Sequence, residues 1–144
     1  AKADALFPQA GTDFTLDLLE GLKALFGENA PDKLFFQHFQ KQQEKWQPLL
    51  SKARTVSEKS AKLAALREKE GCLVRCVEDP ESGLRIEEFH NPLQRAFERY
   101  PRVIAMEQRM IEQLLGAKVT RRELSGGRSG QPRVVFEVVA GGNP

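Results

Sequence analysis

With 144 residues, the chain is long enough for one domain with a hydrophobic core, or for a small domain plus a helical extension. Its composition, 40% hydrophobic and 29% charged, is that of an ordinary globular protein, and a net charge of +2 is too small for a dedicated nucleic-acid binder. Cys72 and Cys76 are its only cysteines, too few for a disulfide-stapled scaffold or a closed four-sulfur metal site. No apolar run approaches the roughly 20 residues needed to span a bilayer. No apolar stretch follows Lys2 in the manner of a signal peptide, so the expected location is the cytoplasm, with no membrane partner. The first methionine is Met106, which leaves open a removed initiator or a piece of something longer.

Phe7-Pro8 and Gly11 read as a short lead-in, with Thr12 as the N-cap of a first helix. Phe14, Leu18, Leu22, Leu25 and Phe26 recur at helical spacing, Leu19 lies beside them, and Gly27 supplies the stop. A second helix opens at Pro31 and carries Phe35, Phe39, Trp46, Leu49 and Leu50, with a kink or an end expected near Pro48. Thr55-Val56-Ser57-Glu58 has the form of a capping box and opens a third helix through Leu63 and Leu66 to Gly71.

Beyond Gly71 the period changes. Cys72 to Val77 reads as a strand, Asp79 to Gly83 as a turn, and Leu84 to Phe89 as the hairpin partner. Asn91-Pro92 opens a short helix containing Leu93 and Phe97, ending before Tyr100-Pro101. A longer helix with Val103, Met106, Met110 and Leu114 on one face closes at Gly116. Val119 to Leu124 and Arg133 to Val139 form a last hairpin around a glycine-rich loop, Ser125 to Gly130, expected to be flexible. The tail Gly141 to Pro144 is expected to fray. The predicted fold is α+β: an N-terminal helical segment over residues 1–70, then a ββααββ-type domain with an antiparallel sheet over 71–144.

Three stretches together carry a family resemblance. Ala5-Leu6-Phe7-Pro8 before a leucine-rich helix resembles the segment that follows the wing in ArsR/DeoR-like winged-helix regulators. Arg67-Glu68-Lys69-Glu70-Gly71 leading into a strand resembles the start of their sensory domain. Glu88-Phe89-His90-Asn91-Pro92, then Tyr100-Pro101, Glu107, Leu114-Leu115-Gly116 and Val119-Thr120-Arg121, resembles the cluster-binding region of SufR-type regulators, which repress iron–sulfur assembly operons.

The resemblance implies a sensory and dimerisation portion, with a homodimer as the expected assembly. DNA would be bound only through a winged-helix domain that is not in this chain. The cysteine positions of the family correspond here to Asn91, Ile104 and Val134. Iron–sulfur clusters need thiolates or occasionally imidazoles, so the resemblance carries no cluster with it, and no cofactor or metal is expected. Replacement by Ile104 and Val134 makes that region apolar. It becomes either a filled core or a pocket for a small organic effector.

The residues expected to meet such a ligand are His90, Glu88, Glu107, Ile104 and Val134, with His90 as polar anchor. In the alternative reading, His90 hydrogen-bonds a turn and Glu107 makes a structural bond or faces water. Cys72 and Cys76, about 13 Å apart in one straight strand, are too far apart for joint ligation and read as small core residues rather than redox groups. Lys41, Lys45, Lys52, Arg54, Lys59 and Lys62 make a basic helical surface, read as solvated. No nucleophile motif or phosphate-cradling loop is present, so the protein is not expected to be an enzyme. The expected function is the effector-sensing and dimerisation portion of a bacterial transcriptional regulator. The alternative is a stand-alone small-molecule-binding or enzymatic α+β protein with only architectural likeness to the regulators.

Overall fold

The computed structural model describes residues 2–139, with side chains from residue 11 onward; the expected fraying of Gly141 to Pro144 lies outside them. Among the described residues nine elements follow in order: α1 (Lys2–Phe26), α2 (Ala30–Leu50), α3 (Val56–Lys69), β1 (Leu73–Asp79), β2 (Gly83–His90), α4 (Gln94–Arg99), α5 (Arg102–Leu115), β3 (Val119–Leu124) and β4 (Arg133–Val138). The fold is α+β, with helices first and then a four-stranded antiparallel sheet.

Most boundaries fall within a residue or two of expectation, and two of the differences are instructive. Thr12 does not cap α1; it lies well inside a helix that begins at Lys2. Gly11 is carried along because a single helical glycine costs only about 1 kcal/mol against alanine, little beside the cooperative gain of a long helix. The hydroxyl of Thr15 donates to the Gly11 carbonyl (2.9 Å) within it. Cys72, placed in the first strand from sequence, lies before β1, and its amide donates to the Arg67 carbonyl (3.1 Å) as the chain leaves α3. Both cysteines are half-buried rather than fully interior.

Local chemistry explains the other ends. Pro48 falls in the last turn of α2, and the helix stops two residues later. At the head of α3 the Thr55 side chain accepts from the Glu58 amide, and the Glu58 carboxylate accepts from the Arg54 amide rather than from that of Thr55. Gly116 ends α5 at φ 67°, a left-handed conformation that glycine takes without the Cβ penalty.

The sheet order is β1-β2-β4-β3, so the two hairpins join along β2 and β4. In that register Glu88 stands opposite Val74 on one side and Val134 on the other. One face of the sheet carries Val74, Ile86, Val134 and Phe136 against Phe97 of α4 and Val103, Ile111, Leu114 and Leu115 of α5. Phe35, Phe39, Trp46 and Leu50 of α2, with Leu19 of α1 and Leu63 of α3, belong to the same cluster. The core is therefore continuous across position 70, and the helical segment packs on the sheet half rather than hanging from it. Among the described side chains of α1, Leu19 is buried in the core and Leu16 packs against it, while Phe14 (64% exposed), Leu18 (57%) and Leu25 (79%) form a row on the opposite side.

The last turn of α2 tests this phase directly. Leu50 is fully buried and Leu49 is 42% exposed. Leu50→Ala is expected to cost about 2–5 kcal/mol in urea unfolding. Leu49→Ala is expected to stay within about 0.5 kcal/mol of the parent.

Candidate functional site

Three charged side chains occupy positions where the helix and strand periods call for apolar residues. Arg67 follows Leu63 on α3, Glu88 follows Ile86 on one face of β2, and Glu107 lies between Val103 and Met110 on α5. Each is at most 3% exposed. The fold brings them together: Nε of Arg67 donates to Oε2 of Glu88, and Nη2 donates to Oε2 of Glu107 at 3.0 Å. Asn91 bridges the same carboxylates, with Nδ2 3.5 Å from Oε1 of Glu88 and 3.4 Å from Oε2 of Glu107.

Asn91 is itself held on several sides. Its Oδ1 accepts from the Leu93 amide (2.9 Å), turning the chain towards α4. The Gln131 side chain accepts from the Asn91 amide (2.9 Å) and donates to its carbonyl (3.2 Å). The Arg128 amide donates to the Phe89 carbonyl at 2.7 Å. The glycine-rich loop, expected to be a flexible connection, is thus tied to the end of β2. A Cβ on Gly127 would meet the Gln131 carbonyl oxygen at 2.4 Å, which explains why that loop position is glycine.

Arg67, Asn91 and Glu107 of this cluster form the polar floor of a half-open cavity of about 410 Å³, and Glu88 lies outside its lining. Arg67, Cys72, Asn91 and Glu107 line one side, and Leu19, Phe35, Phe39 and Trp46 line the other. His38, Gln42 and Glu70 add polar groups to the lining. This combination of apolar walls and a few fixed polar groups is the usual make-up of a small-molecule site.

Burial works against the charge of Arg67, but Glu88 and then Glu107 outweigh it and hold the guanidinium well above its ordinary value. Burial, and then the charge of Glu107, push the Glu88 carboxyl above the usual carboxylate range against the pull of Arg67. Burial likewise raises the Cys72 thiol to about 12, leaving it a protonated lining group rather than a reactive thiolate. On the opposite sheet face, Glu87 is held below its ordinary value: burial raises it, but Arg75 and Arg85 together lower it further.

Of the residues expected at the site, Glu88 and Glu107 meet through Arg67 and Asn91. His90 sits half-buried at the end of β2, outside the cavity lining, paired in register with Leu73. Ile104 packs against the core from α5, and Val134 is buried in β4 beside Glu88. The side chains standing where the resembling family has cysteines offer no thiolates, and Cys72 is the single sulfur in the cavity lining where a cluster needs several, so the residues do not fit an iron–sulfur cluster. Among the described residues there is no group of three or more His, Cys, Asp or Glu side chains suited to a metal ion. The sequence reading missed Arg67 as a site residue and missed the aromatic wall. The available signal was a single charged residue on the buried stripe of α3, in phase with Ser60, Leu63 and Ala64.

Arg67→Met strands two buried carboxylates and is expected to cost about 3–5 kcal/mol in denaturant unfolding. Adding Glu88→Gln and Glu107→Gln to that variant is expected to restore most of the loss. The raised Glu88 carboxyl, which faces Arg67, Asn91 and Glu107, binds its proton more tightly in the folded chain than in the unfolded one. Stability contributed by that proton is present below the ordinary glutamate range and is lost as pH rises through the folded value. Glu88→Gln is therefore expected to remove part of the decline in stability that the parent shows over that window. No protein-family model, curated protein or solved structure matches the chain, so any functional reading stands on this geometry and on the sequence.

Proposed function

We propose that the chain is the effector-binding and dimerisation portion of a bacterial transcriptional regulator, acting in the cytoplasm. DNA contact would come through a winged-helix domain outside this chain. The observation that carries the reading is the cavity built from both halves of the sequence: Leu19 of α1, Phe35 and Phe39 of α2 and Arg67 of α3 line it together with Asn91 and Glu107 of the sheet half. A ligand there touches the helical segment and the sheet half at once.

The α1 helix supplies the link to assembly. Leu19 points into the core and lines the cavity, while its neighbour Leu18 belongs to the exposed apolar row with Phe14 and Leu25. A row of large apolar side chains at helical spacing is the face a second copy of the same helix would cover. Filling the cavity would shift α1 and so favour one of two dimer arrangements, which is how differential binding moves a two-state regulator. No helix among the described residues is long and apolar enough to cross a membrane.

The chain is expected to run as a dimer by size-exclusion chromatography with light scattering. Leu18→Glu is expected to give a monomer with unchanged far-ultraviolet circular dichroism. A monomeric parent at micromolar concentration would contradict the pairing of α1. Trp46 is the single tryptophan and lines the cavity, so a bound effector is expected to change its emission and to raise the melting temperature together.

A further inference from the structure

The charges at the cavity do not balance. Arg67 brings one positive charge to two carboxylates, Glu88 and Glu107, and is hydrogen-bonded to both. Glu107 lines the cavity and Glu88 lies behind it, the exposed Glu70 adds a carboxylate at the rim, and Arg67 is the one lysine or arginine among the described lining residues. A buried net negative charge is costly unless a proton or a cation meets it. Both hydrogen bonds that Glu107 receives from described residues reach Oε2, so its second oxygen, Oε1, accepts none from them.

The opposite wall has the chemistry that such a cation prefers. Phe35, Phe39 and Trp46 line the cavity, and the rings of Phe35 and Phe39 stack with centroids 6.4 Å apart. Aromatic faces attract ammonium groups, with an energy of about 2 kcal/mol or more where water is excluded. A small metal ion draws little from that wall, since it seeks several oxygen ligands. An anion would have to displace the carboxylates that already occupy Arg67.

We propose that the cavity is a receptor for an organic monocation with an apolar body, such as a quaternary or aryl-alkyl amine. Its charge meets Glu107, and its body lies among Phe35, Phe39 and Trp46. This assignment rests on the effector-cavity reading and gives that effector a chemical class.

Three probes of similar aromatic body separate the possibilities: benzyltrimethylammonium, neutral N-benzylacetamide and anionic phenylacetate. Each is titrated into the full chain and followed by Trp46 emission and by calorimetry. The cation is expected to bind at least about tenfold more tightly than either of the others. Glu107→Gln is expected to weaken the cation by about tenfold and to leave the amide within about twofold. If that variant does not fold, the ranking of the three probes on the parent chain decides alone. Equal or tighter binding of the amide or of phenylacetate overturns the cation and leaves the effector cavity standing. A folded Glu107→Gln with unchanged cation affinity overturns the cation in the same way. Silence from all three probes overturns both.

Discussion

The guanidinium of Arg67 is the point on which the interior turns. It reaches from α3 to Glu88 on β2 and to Glu107 on α5, three elements separated in sequence by 21 and 40 residues along the two bonds. Each of these charges is at most 3% exposed, so each is tolerable only while the others are in place. A hydrophobic trio of similar volume would pack as well or better. What the charged trio adds is a unique arrangement: α3, β2 and α5 cannot slide against one another without stranding a buried ion. Asn91 extends the constraint to the head of α4, and Gln131 extends it to the loop between β3 and β4.

The same cluster gives the cavity its character. The aromatic wall comes from α2 and the polar floor from α3, the Asn91 turn and α5. Because the lining combines residues of the helical segment with Asn91 and Glu107 of the sheet half, whatever occupies the space reads their relative position. The α1 helix lies over this junction, with Leu19 inside and the Phe14–Leu18–Leu25 row outside. Its attachment beyond the apolar contact is polar and peripheral: Tyr100 donates to the Glu20 carboxylate (2.8 Å), and Arg95 pairs with Asp13 at 2.6 Å. Such exposed or half-exposed links are weak enough to rearrange, whereas the Arg67 cluster is not.

Most of the architecture was legible because it is written in local signals. The capping residues at Thr55, the turn glycines and the change from helical to alternating period after Gly71 gave the element order and the α+β class. The start of α1 was misread because Gly11 and Thr12 look like punctuation; their local preference is smaller than the cooperativity of a long helix. The inward face of α1 was also hidden: Phe14, Leu18 and Leu25 form as good a stripe as the one containing Leu19, and only tertiary packing selects between them.

The site was half legible. Glu88 and Glu107 stood out through a family-like motif, but their partner did not, because a charged residue near a helix end is usually solvated. Arg67 is unusual only in phase, four residues after Leu63 and three after Ala64 on the buried face. His90, singled out by the same motif, lies outside the lining, because the strand ends there and the chain turns through Asn91. Asn91, noticed only as the replacement of a cysteine, is the residue that hydrogen-bonds both carboxylates.

The central claim is that Arg67 and the two glutamates act as one unit, and a double-mutant cycle tests it most directly. Unfolding free energies of the parent, Arg67→Met, Glu107→Gln and the double variant give the coupling between α3 and α5. A coupling on the order of 1–3 kcal/mol is the result expected for a shared buried network. Additivity within about 0.5 kcal/mol would mean that Arg67 and Glu107 do not depend on one another, and would contradict the account.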